Sequence, residues 1–159
     1  MSDATELQLV TFGLDAETFA VPVTLVREIL DYGETFRIPN GPDYLLGLTD
    51  MRGQGVPTID FRRRLGLSPF VPTPATRILV VDVPAADRVL MLGLVVDRVL
   101  EVCSVTTDQL ETAPDIGVRW ASDYIGGVIK RSEGFVVLVD MSKIFSSEEV
   151  RVLTTRAVA

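Results

Sequence analysis

Eighty positions separate two stretches that carry the same short pattern. Asp43-Tyr44-Leu45-Leu46-Gly47-Leu48 returns as Asp123-Tyr124-Ile125-Gly126-Gly127-Val128, and Val56-Pro57-Thr58-Ile59-Asp60-Phe61 returns as Val136-Val137-Leu138-Val139-Asp140-Met141. Five of the 23 positions from 43 to 65 are identical at this offset. Upstream, Val26-Arg27-Glu28-Ile29-Leu30 resembles Val99-Leu100-Glu101-Val102-Cys103. Chance similarity among β-hairpins is one explanation. The sharper one is a pseudo-duplicated pair of small barrels, which the many short strands with turns every 8 to 12 residues also favour.

The local patterns supply the parts. Gln8 to Leu14 and Thr18 to Val23 are rich in β-formers and flank a turn at Asp15-Ala16-Glu17, so they predict a hairpin. Leu25, Val26, Ile29 and Leu30 fall at helical spacing behind Thr24, a plausible N-cap, and predict a short helix over about 24–31. Tyr44 to Met51 and Val56 to Ile59 read as strands around a turn at 52–55. Asp60 is placed to cap a one-turn helix over Phe61 to Leu65, which Gly66 ends. Ser68 to Pro74 holds three prolines in seven residues and is the best candidate for a connection between two halves. A second hairpin is expected from Ile78 to Val83 and Val89 to Val96, and a third from Tyr124 to Ile129 and Phe135 to Val139. Residues 106–119 hold no clear pattern. Ser146-Ser147-Glu148-Glu149 matches a capping box ahead of an amphipathic terminal helix through Val150 and Leu153. The expected organisation is one domain over 7–155 with lobes at roughly 7–67 and 76–145, strand exchange between them allowed, and a helical tail over 146–159.

Composition removes whole classes of function. The chain has no histidine, so Ser-His-Asp and Cys-His nucleophile systems and His-ligated zinc are excluded. One cysteine, Cys103, excludes an internal disulfide and Cys-rich metal clusters. The net charge of −7 argues against nucleic acid and against an anionic membrane surface. The longest apolar run, Val89 to Val96, is far short of the roughly 18 residues of a membrane span, and Met1 to Glu6 lacks the basic start of a signal peptide. A cytoplasmic protein without membrane insertion is the expectation.

No catalytic, cofactor or metal site is predicted. Gly53-Gln54-Gly55 opens no helix and lacks a following Lys-Ser/Thr. Asp15 and Glu17 read as solvated turn carboxylates, Asp60 and Asp140 as equivalent helix caps, and Cys103 as a buried thiol. Arg62-Arg63-Arg64 reads as the wet face of a short helix. Arg52 is different: it sits at a hairpin tip before Gly53, with Asp50 close by, and is either a solvated turn arginine or a recognition residue.

Pro39-Asn40-Gly41-Pro42-Asp43-Tyr44-Leu45-Leu46-Gly47-Leu48-Thr49-Asp50-Met51-Arg52-Gly53, continued by Val56-Pro57-Thr58-Ile59-Asp60-Phe61-Arg62, resembles the signature of the CheW-like chemotaxis coupling proteins. Phe19 to Val23 with Val26 to Ile29, Gly93 to Val99, Ser122 to Gly127 and Ser146 to Glu149 extend the resemblance over about residues 7–155. Asp50, Met51 and Gly55 depart from the commonest residues of that pattern.

The resemblance implies a mainly β fold of two side-by-side five-stranded SH3-like β-barrels with a few short helices. It also implies a non-enzymatic adaptor in two-component signal transduction. Its partners would be the cytoplasmic tip of a chemoreceptor, a helical hairpin, and the regulatory domain of the chemotaxis histidine kinase, which shares the fold. The receptor hairpin would lie in a groove between the lobes. The residues carried over to that groove are Val26 and Glu28 of the predicted first helix, Gly47, Arg52, and Ile78 at the lobe junction. Kinase-contact residues stay open. A stand-alone small-barrel module for an unrelated peptide or ligand is the alternative.

Overall fold

The computed structural model describes residues 5–33, 35–39, 41–85, 88–111, 124–131, 134–146, 149, 151 and 153. Val150 and most of the residues predicted as the tail lie outside them. Eleven strands are found among the described residues. In chain order they are β1 (Glu6–Leu14), β2 (Glu17–Pro22), β3 (Val26–Asp31), β4 (Leu45–Met51), β5 (Gln54–Asp60), β6 (Arg77–Ala85), β7 (Arg88–Val96), β8 (Arg98–Thr106), β9 (Leu110–Glu111), β10 (Ile125–Arg131) and β11 (Gly134–Val139). One helical turn, α1 (Phe61–Arg64), follows β5, and 3-10 turns cover Val23–Leu25, Thr107–Gln109 and Met141–Lys143.

The strands form a six-stranded sheet in the order β8-β1-β2-β11-β10-β9 and a five-stranded sheet in the order β3-β6-β7-β5-β4. Each sheet curls until its ends meet. Beyond β3, Phe36 exchanges two 2.8 Å backbone hydrogen bonds with Leu48 of β4. In the other sheet β8 runs through a 3-10 turn straight into β9, which pairs with β10. Curling in this way leaves few free strand edges.

Each sheet takes strands from both halves of the chain. A hairpin followed by three strands occurs twice, as β1-β2 then β3-β4-β5, and as β6-β7 then β8-β10-β11, the two-residue β9 continuing β8. In both cases the hairpin lies in one sheet and the three strands in the other. The junctions are matching parallel pairs, Leu138 against Ala20 between β11 and β2, and Thr58 against Gly93 between β5 and β7.

The eighty-residue offset holds down to single hydrogen bonds. The Asp60 N–H donates to the Tyr44 carbonyl at 2.8 Å, and the Asp140 N–H to the Tyr124 carbonyl at 2.6 Å. Register shifts fall between Leu45 and Gly47 and between Ile125 and Gly127. The Asp60 carboxylate accepts from the Arg63 N–H at 3.3 Å and Asp140 from the Ser142 N–H at 3.1 Å, as expected of caps. The Ser146 N–H to Glu149 Oε1 (2.9 Å) and Glu149 N–H to Ser146 Oγ (3.1 Å) bonds complete the predicted capping box.

The large central cluster lies between the sheets. Val10, Phe12, Leu14, Phe19 and Val21 meet Leu79, Val81, Val83, Leu92, Leu94 and Val96, with Phe61, Ile144 and Leu153 closing the ends. Phe12 sits 5.9 Å from the Phe61 ring and 6.1 Å from the Phe19 ring. Two smaller clusters fill the insides of the two curled sheets: Leu9, Ala20, Val105, Ile129 and Val136 in one, Val56, Ile78, Val80 and Val95 in the other.

Two expectations are corrected. Residues 26–31 are a strand, not the end of a helix; only Val23–Leu25 make a helical turn. Their half-buried and exposed residues alternate strictly, and pairing with β6 satisfies the backbone that a helix would have satisfied internally. A register shift between Val26 and Glu28 skips Arg27, just as β8 skips Leu100 opposite the shift in β1, so the kinship of 26–30 with 99–103 is real while its helical period is not. Ile78 is 1% exposed and belongs to the cluster inside the five-stranded barrel, whereas Leu79 and Val81 face the junction between the sheets.

Candidate functional site

Arg52 and Gly53 are the two central residues of the β4–β5 hairpin, with φ of 55° and 86°. Positive φ at both positions is the geometry of the two-residue turn that follows strand twist, and it explains why glycine stands at the second. The Asp50 carboxylate accepts the Gly53 N–H at 2.8 Å and pins the turn. The Arg52 side chain is 81% exposed, and its Nη2 donates to Glu28 Oε1 at 2.5 Å. Glu28 lies on β3 and is itself only 24% exposed. The hairpin tip is thus tied to the far edge of its own sheet by one charge-assisted bond. At this exposure such a pair adds about 0–1 kcal/mol to stability, so it orients the guanidinium rather than holding the fold together.

Of the five residues named from the sequence, Arg52 and Glu28 are in contact. Val26 begins the same strand as Glu28, half-buried against the central cluster. Gly47 and Ile78 are buried beneath this surface. Gly47 has φ +146°, and a Cβ there would stand 2.2 Å from the Phe36 carbonyl oxygen, so its part is to let the closing segment approach β4. Beside them Arg27 Nε donates to both oxygens of Asp82, at 2.8 and 2.9 Å. Ile29 at 45% and Phe36 at 69% exposure are large apolar side chains left in water on and just beyond β3.

Two further constellations were not legible as such. Arg64 sits 5.7 Å from the Tyr44 ring centre and 5.3 Å from that of Phe145, and donates to the Ile144 carbonyl. Glu149 takes the Tyr44 hydroxyl at 2.5 Å and lies 3.5 Å from Arg64. Burial, then the hydrogen bond and charge of Glu149, push the Tyr44 hydroxyl well above its ordinary value. Burial alone would raise the Glu149 carboxyl, but the Ser146 N–H, the Tyr44 hydroxyl and Arg64 outweigh it and hold it below the ordinary range. The second constellation surrounds Arg62, which is buried rather than on a wet helix face. Among the described residues no cluster of acidic or thiol side chains could hold a metal ion, and no helix is long and apolar enough to cross a membrane.

Residues 8–149 match the profile of the CheW-like domain. The chain belongs to the CheW-like family. It is 34% identical over 143 residues to the chemotaxis protein CheW of Klebsiella aerogenes, covering 90% of this chain and 84% of that one. It is 30% identical over 142 residues to CheW of Rhizobium meliloti, covering 89% of each. The scaffolding protein TtCheW from Thermoanaerobacter tengcongensis superposes with a TM-score of 0.78 over 91% of this chain and 96% of that one. At 22% identity that likeness speaks for the fold, two SH3-like barrels, and the mainly β expectation stands.

Proposed function

We propose that this CheW-like chain is a chemotaxis adaptor that couples the cytoplasmic tip of chemoreceptors to the regulatory domain of the chemotaxis histidine kinase. The observation that carries the reading is the family match along 8–149, with named chemotaxis proteins similar over nearly the whole chain. The receptor would meet the flank made by Arg52, Glu28 and Val26, with Gly47 and Ile78 supporting it from beneath. A helical hairpin offers carboxylates and helix-end carbonyls that the planar Arg52 fork suits and a lysine does not. The barrels, with lobes at roughly 7–67 and 76–145 and their hairpins exchanged, would leave other faces for the kinase domain. In this reading the protein works in the cytoplasm, in receptor arrays at the inner face of the membrane, inserts into no bilayer, binds no nucleic acid and carries out no chemistry.

The test is a pair of titrations on Arg52→Glu. The substitution faces Glu28 with a like charge at an exposed turn, so circular dichroism should find the fold intact. Affinity for a receptor-tip fragment should fall about tenfold or more, equivalent to at least ~1.4 kcal/mol. Affinity for the isolated kinase domain should change far less. Equal loss against both partners, or no loss against the receptor, refutes the assignment of Arg52.

A further inference from the structure

Arg62 connects parts of the chain that belong to different sheets. Its side chain is 9% exposed. It rides on α1, directly after β5 of the five-stranded sheet. Nη1 donates to the carboxylate of Asp15, in the β1–β2 turn of the six-stranded sheet, and to Asp97 Oδ2 at 2.7 Å. Asp97 is the single residue between β7 and β8, where the chain passes from one sheet to the other. Nε donates to the Ser68 carbonyl at 2.8 Å and Nη2 to Ser68 Oγ at 2.9 Å, at the start of the proline-rich connection. The Asp15 N–H closes the ring by donating to Asp97 Oδ2 at 2.7 Å, and Arg98 Nη2 reaches the Asp15 carbonyl at 3.1 Å.

The repeat says what this network is not for. Eighty positions on, the residue equivalent to Arg62 is Ser142, whose N–H and Oγ stay within its own turn, on Asp140 Oδ1 at 3.1 and 2.5 Å. The same strand–cap–turn unit therefore forms without an arginine. What Arg62 adds is a bond across the seam. The planar guanidinium fixes two carboxylates and one serine at once, so it specifies the angle between the elements that carry them. Removing it leaves carboxylates that are already partly in water, 52% exposed for Asp15 and 23% for Asp97, so the barrels can survive its loss.

We infer that Arg62 is a positioning residue: with Asp15, Asp97 and Ser68 it sets the angle between the two barrels and through it the shape of the receptor-facing flank. The second half of that statement rests on the receptor reading above; the first does not.

The experiment measures the inter-barrel distance by spin-label spectroscopy in the full chain. Labels are placed at Val89→Cys on β7 and Val102→Cys on β8, which are 65% and 62% exposed and lie in different sheets, with Cys103→Ser as background. Arg62→Met should broaden the distance distribution while backbone hydrogen exchange within each sheet stays as it was, and should weaken receptor-fragment binding at least tenfold. Arg52→Glu should weaken receptor binding with no change in the distribution. An unchanged distribution in a folded Arg62→Met overturns the inference, whatever the affinity. Should Arg62→Met fail to fold, Asp97→Asn decides: the inference requires a smaller broadening in the same sense, and its absence overturns it. If the parent protein binds no receptor fragment, the receptor reading falls while the distances still judge the clamp.

Discussion

Replacing Gly47 by alanine tests how the five-stranded barrel closes. The added Cβ would lie 2.2 Å from the Phe36 oxygen, 2.7 Å from the Phe36 carbonyl carbon and 3.1 Å from the Arg37 Cα. All three are backbone atoms, so no side-chain rotation relieves the contact, and the segment around Phe36 must move away. That movement breaks the two 2.8 Å bonds between Phe36 and Leu48. Each backbone bond contributes about 1 kcal/mol net, and a non-glycine residue held at φ +146° costs about 1–3 kcal/mol. Together these amount to roughly 3–5 kcal/mol, a large share of the 5–15 kcal/mol typical of a domain. With a urea m-value of about 2 kcal/mol/M, the unfolding midpoint should fall by roughly 2 M. Two glycines supply the scale. Gly53 has φ +86° and nothing within 4 Å of a Cβ, so Gly53→Ala should lose only about 1–2 kcal/mol. At Gly127 the nearest atom is the movable Leu110 Cδ2 at 3.2 Å, so Gly127→Ala should cost less than its pseudo-symmetric partner. A Gly47→Ala midpoint no lower than that of Gly53→Ala would refute the closure argument, and with it the view that Gly47 acts on a partner through the fold.

Other substitutions probe the seam and the charges. Glu149→Gln should flatten the acid limb of the stability curve in melts from pH 7 to 3. The Glu149 carboxyl is held below its ordinary value, so its contribution is full above the unfolded pKa and is lost as pH falls through the folded one. Tyr44→Phe should flatten the alkaline limb: with the folded pKa raised, that contribution is full below about 10, the free tyrosine value, and is lost as pH rises through the folded value. Leu153→Ala removes a fully buried side chain from the central cluster and should cost about 2–5 kcal/mol in urea unfolding, showing that the C-terminal turn is part of the core.

The hairpins were legible because each is a local event: alternating apolar residues around Asp15-Ala16 or Arg52-Gly53 need no distant partner to be recognised. The caps at Asp60, Asp140 and Ser146 were legible for the same reason. The exchange of hairpins between sheets was not, since Leu138 against Ala20 and Thr58 against Gly93 are long-range choices that period-2 patterning leaves undetermined. Residues 25–30 were misread because Leu25 belongs to the preceding 3-10 turn and Ile29 is apolar yet 45% exposed, so the apolar positions 25, 26, 29 and 30 imitate helical spacing while burial along the strand alternates. At the candidate site, Arg52 was legible from its turn and Glu28 from family resemblance alone. Nothing local pairs them across 24 positions. Arg62 was missed altogether: an arginine in a basic run reads as solvated until Asp15 and Asp97, 47 and 35 residues away, are brought to it by the fold.

As a chemotaxis adaptor, this chain would transmit a receptor's state to a kinase without chemistry of its own. Reconstitution tests it most directly: receptor fragments in membranes, the histidine kinase and labelled ATP, with and without this protein. Kinase autophosphorylation should come under receptor control only when the protein is present, Arg52→Glu should lose that control, and no label should appear on the protein itself. Kinase activity indifferent to its addition, or stable label on this chain, would contradict the claim.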